Sequence, residues 1–109
     1  MAITSGVPIP LATASISDST VTSSGSGETK DVYPLIAHNI DTTRGYAELY
    51  LSTDAASAAG ERIDKLVLEP DETKEFFPVV IPSGQYLIIK SDVDVNYHGA
   101  YTLRNGGDV

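Results

Sequence analysis

Residues 93–103 read Val-Asp-Val-Asn-Tyr-His-Gly-Ala-Tyr-Thr-Leu, with apolar side chains at Val93, Val95, Tyr97, Tyr101 and Leu103 and mostly polar ones between them. A period of two puts those five on one side of an extended chain, which predicts a half-buried antiparallel strand. Gly99 falls on the apolar side and marks a bulge or the close approach of another backbone.

The same grammar recurs upstream. In Tyr46-Ala-Glu-Leu-Tyr-Leu-Ser52, Ala47, Leu49 and Leu51 face one way, and Tyr46, Glu48, Tyr50 and Ser52 the other. Residues 62–69 form another strand, with Leu66 and Leu68 inward. Residues 85–90 are nearly continuously apolar, as a central strand would be. Residues 31–39 are apolar too, and Pro34 places them at an edge or a bulge. Residues 73–79 predict one short strand around Phe76 and Phe77, and residues 15–22 a first one. Pro70-Asp71-Glu72-Thr73 and Ile81-Pro82-Ser83-Gly84 are turns. Residues 23–28, rich in Ser and Gly, read as a flexible loop. Residues 54–60 allow at most one or two helical turns inside a loop. The expected fold is all-β: an antiparallel β-sandwich, Ig-like or jelly-roll-like, of about seven strands.

The first residues read differently. Val7-Pro8-Ile9-Pro10-Leu11 is apolar, but its prolines cannot donate to a ladder and favour an extended backbone. The domain reading is therefore an extended N-terminal arm at 1–14, a sandwich at 15–103 and a flexible C-terminal tail at 104–109. The arm either lies over its own domain or docks on a neighbour.

Charge and chemistry narrow the function. With 7 Lys+Arg against 15 Asp+Glu, the net charge is −8, and too few cations exist to displace counterions from phosphates. Nucleic acid and anionic membranes are not expected as partners. No apolar run approaches the roughly 20 residues of a membrane span. The start lacks the pattern of a secretory signal, so synthesis in a cytoplasm is expected. There is no Cys, which excludes disulfides and thiolate-ligated metals.

His38 and His98 lie in expected strands without a second ligand at suitable spacing. Asp92, Asp94 and Asn96 alternate along a strand, where their oxygens point in parallel rather than converging on an ion. Asp71–Glu72 and Glu61 with Asp64 are weaker still. The Ser/Gly loop lacks the Lys and following helix of a phosphate loop, and no Gly-x-Ser-x-Gly elbow is present. No catalytic, cofactor-binding or metal site is expected. Tyr46 and Tyr50 combine apolar area with a polar tip, which suits an interface.

The series formed by 46–52, 61–68, Pro70-Asp71-Glu72-Thr73, Pro82-Ser83-Gly84-Gln85-Tyr86-Leu87 and 93–101 resembles small β-sandwich proteins of tailed-phage particles. These are capsid decoration (cement) proteins and short head or tail accessory proteins. The resemblance covers roughly residues 31–103 and consists of strands and turns, with no catalytic motif. It implies a non-enzymatic structural virion protein on the capsid surface. Such a protein would bind the major capsid protein or another virion protein, and would self-associate, as a trimer by preference or as a dimer. Val7, Pro8, Ile9, Pro10, Leu11, Pro34, Tyr46 and Tyr50 are the expected contact residues. The alternative is a tail, neck or fibre-associated module that recognises a receptor or glycan.

Overall fold

The computed structural model describes residues 2–105. Among these, nine strands form: β1 (Ala2–Ser15), β2 (Ser19–Ser23), β3 (Glu28–Asn39), β4 (Gly45–Ser52), β5 (Gly60–Leu68), β6 (Thr73–Glu75), β7 (Val79–Ile81), β8 (Tyr86–Ser91) and β9 (Asp94–Asn105). The 54–60 segment contributes a single 3-10 turn at Ser57–Ala59. One sheet runs β1-β9-β3-β6, with β7 also paired to β3, and the other runs β2-β8-β4-β5. Every pairing is antiparallel. The fold is an all-β sandwich.

Alternation builds the core between the sheets. Val32, Leu35 and Ala37 on β3 and Val95 and Tyr97 on β9 point inward. They meet Ala47 and Leu49 on β4, Leu68 on β5, and Leu87 and Ile89 on β8, with Phe76 and Ile81 closing one side. As expected of a central strand, β8 lies between β2 and β4.

Four expectations change. First, residues 2–14 are not an arm apart from the sandwich. They form most of β1, which pairs along β9, and Ile9 and Ala14 are in the core. The prolines are tolerated because β1 is an edge strand whose register slips between Thr4 and Val7 and between Ile9 and Ala12. Gly6, at φ 67°, sits in the first slip and Pro10 in the second.

Second, Pro34 is not on an edge. β3 is flanked by β9 on one side and by β6 and β7 on the other. Pro34 lies where the β3–β9 register shifts between Val32 and Leu35. It also falls in the gap between the residues that pair with β7 (30–32) and with β6 (36–38). The bulge reading holds and the edge reading does not.

Third, the single strand expected at 73–79 is two short ones. Between them Phe76 buries its ring, with its N–H still bonding the Leu35 carbonyl of β3 at 2.9 Å, while Phe77 is exposed.

Fourth, Arg104 and Asn105 extend β9 rather than starting a tail; the rest of that expected tail, 106–109, lies outside the described residues. The 23–28 loop is also well tied down. Buried Ser24 donates its hydroxyl to the Ile81 carbonyl, and Gly27 N–H donates to Ser83 Oγ, both at 2.9 Å.

Candidate functional site

The eight expected contact residues are split between the sheets. Val7 to Leu11 lie together on β1, with Ile9 turned into the core and Pro8, Pro10 and Leu11 exposed. Pro34 is half-buried on β3 of the same sheet. Tyr46 and Tyr50 lie on β4, on the outer face of the other sheet, and both are half-buried.

The two tyrosines are already engaged. Lys65 Nζ sits 4.7 Å from the centre of the Tyr46 ring. The Tyr50 hydroxyl donates to Glu48 at 3.3 Å, and Arg62 binds the same carboxylate at 2.8 Å. Burial, together with the Glu48 charge, pushes the Tyr50 hydroxyl pKa up. Beside Tyr46 an open groove of about 220 Å³ is lined by Arg44, Gly45, Tyr46, Lys65, Val67 and Asp92. Arg44 is paired with Glu69 at 3.2 Å, and Asp92 accepts the Tyr46 N–H at 2.7 Å.

The other polar candidates are dispersed. His38 Nε2 meets Asp71 Oδ1 at 2.8 Å on the surface. His98 is exposed on β9. Asn96 accepts from Thr13 at 2.6 Å. Among the described residues, no group of three or more His, Asp or Glu is arranged to hold a metal ion.

The surface that stands out is a lateral wall. β1 and β2 are edge strands of different sheets, and the topology brings both to the same side of the sandwich, where β1 touches β2 and β8. Residues 1–27, which supply both strands, contain one charged residue, Asp18. Even that charge is committed: Asp18 accepts the Ser57 N–H at 2.7 Å and the Ser57 hydroxyl at 2.9 Å. Ile3 and Leu11 on β1, and Ile16 in the bend between β1 and β2, are exposed by 60%, 66% and 67%. Ile16 also has φ 54°, a left-handed backbone that a β-branched residue adopts only at a cost.

Edge strands are commonly guarded by charge, Lys above all. β1 carries no charge, and its guards are Pro8, Pro10 and its two register slips. The opposite wall, β5 with the following turn and β6, differs. It carries Glu61, Asp64, Glu69, Asp71, Glu72 and Glu75, interleaved with Arg62, Lys65 and Lys74. The expected contact residues include Leu11 but not Ile3 or Ile16, and the strand expected at 15–22 carried no contact role. The available signal was the lack of any charged residue before Asp18.

No protein-family model matches the chain. No curated protein matches it either. Among solved structures, it is similar to a pentameric capsid protein isolated from metagenomic phage sequences, with 14% identity and a TM-score of 0.43. That likeness covers 87% of this chain, which spans 59% of the capsid protein's length.

Proposed function

We propose that this chain is a non-enzymatic structural protein of a phage particle that binds the capsid surface as a decoration or cement protein. The observation that carries the reading is the pair of uncharged edge strands β1 and β2, with Ile3 and Leu11 exposed on β1 and Ile16 exposed in the bend that joins the two. Exposed apolar side chains on an uncharged edge gain by being covered with protein. The order of strands and turns in the sequence supplies the phage context. In this reading Val7, Pro8, Pro10 and Leu11 are contact residues, and the neighbours are virion proteins, including further copies of the chain.

The glycan-binding alternative draws less support. A sugar-stacking site needs an open aromatic face, and Lys65 already lies over the Tyr46 ring while the Tyr50 hydroxyl is tied to Glu48.

The test is fractionation. Particles from the source culture are banded by density and analysed by quantitative mass spectrometry. The chain is expected in the particle band at a fixed ratio to the major capsid protein. Recovery only in the soluble fraction contradicts the proposal.

A further inference from the structure

We infer that the occupant of the β1–β2 wall is a second copy of this chain, joined wall to wall about a twofold axis. The inference rests on the reading of that wall as a protein-contact surface and names its partner.

The argument is one of charge. At net charge −8, two copies repel, and the β5–β6 side that one could offer the other carries carboxylates from Glu61 to Glu75. A twofold contact sets one patch against itself, so a charge near the axis faces its own like. A patch meant for a foreign partner is under no such constraint and commonly uses opposite charge for steering and register. β1 and β2 are uncharged along their whole length, and the one carboxylate between them, Asp18, is hydrogen-bonded to Ser57. That is the condition a self-contact requires.

A head-to-tail contact that pressed this wall onto the β5–β6 side would strip water from Glu61, Asp64 and Glu75, and the wall would bring them no cation.

The experiment is sedimentation equilibrium of the full chain, with Leu11→Asp and Ile16→Asp as wall variants and Phe77→Asp as the control on the opposite side. Circular dichroism checks that each folds; all three side chains are exposed. The wild type and Phe77→Asp are expected as dimers. Each wall variant is expected to raise the dissociation constant at least about thirtyfold, as loss of an interface anchor does.

A wild type that stays monomeric to millimolar concentration overturns the inference. So does a trimer or higher ring, or a dimer indifferent to both wall variants. Particle banding separates this failure from that of the proposed function. A monomer that bands with particles, and stops doing so as Leu11→Asp, leaves the function standing with a different virion protein on the wall. A wall-dependent dimer that never bands leaves the dimer standing without the virion role.

Discussion

Gly99 on β9 lies directly beneath the carbonyl oxygen of Pro34 on β3, so that a methyl group at Gly99 would collide with that oxygen and approach the Leu35 Cα at 3.1 Å. Gly99 is also the β9 partner of both Ile9 on β1 and Leu35 on β3. The register slips of the two flanking strands therefore meet at one residue without a side chain. The close approach lets β1 and β3 both bend around β9 while Ile9 and Leu35 remain buried.

Gly99→Ala is accordingly expected to destabilise the protein. The obstacle is backbone, which cannot swing aside as a side chain can, so the cost is that of overpacking, about 3 kcal/mol. Urea unfolding measures it. A midpoint within error of wild type would show that the approach is looser than described.

Removing residues 2–14 is expected to abolish cooperative unfolding rather than merely to trim a contact. The deletion takes Ile9 and Ala14 from the core and leaves β9, with Val95 and Tyr97, as a raw edge. Thermal unfolding followed by circular dichroism checks this. A truncated chain with an unchanged transition would restore the picture of a separable arm.

Ile16→Asn should separate folding from association. Asn tolerates the left-handed backbone at this position, so the folded monomer should gain about 1 kcal/mol. The same change removes an exposed apolar side chain from the wall and should weaken the dimer. Urea unfolding at low concentration and sedimentation at high concentration read the two effects. Gain in both, or loss in both, contradicts the assignment of Ile16 to the interface.

Stability should fall at both ends of the pH scale, for different residues. Hydrogen bonds from the backbone N–H groups of Thr42 and Asp94 hold the Asp41 carboxyl below its ordinary value of 3.8. The folded state therefore binds that proton less readily than the unfolded chain. The stability this contributes is complete above the ordinary value and disappears as pH drops below it. At the alkaline end, burial pushes the Tyr97 hydroxyl above its ordinary 10.0. Its contribution is complete below that value and is lost as pH rises past it. Urea midpoints across the pH range are the readout: Asp41→Asn should flatten the acid limb and Tyr97→Phe the alkaline one.

Features written into adjacent residues were legible in the sequence. The alternation through Val95 and Tyr97, the apolar run through Leu87 to Ile89 and the turn at Pro82 to Gly84 need only local spacing. Gly99 was legible as a close approach because a glycine interrupts an apolar face there. Its neighbour Pro34 was not, since that contact follows from how β3 and β9 pair. β1 was misread because Pro8 and Pro10 count against a strand; both sit on an edge strand, Pro8 paired opposite Ala100 and Pro10 in a register slip. Phe76 and Phe77 look alike in sequence; which ring is buried follows from the register of this segment against β3, where the Phe76 N–H bonds the Leu35 carbonyl. The wall was hidden for a related reason. A missing charge at Ile3 and another at Thr20 become one surface only when the topology places β1 and β2 side by side.

Cryo-microscopy of the native particle tests the central claim most directly. The account predicts density for this sandwich with the β1–β2 wall, and Leu11 on it, buried against protein. A sandwich bound to the particle with that wall open to water would contradict it.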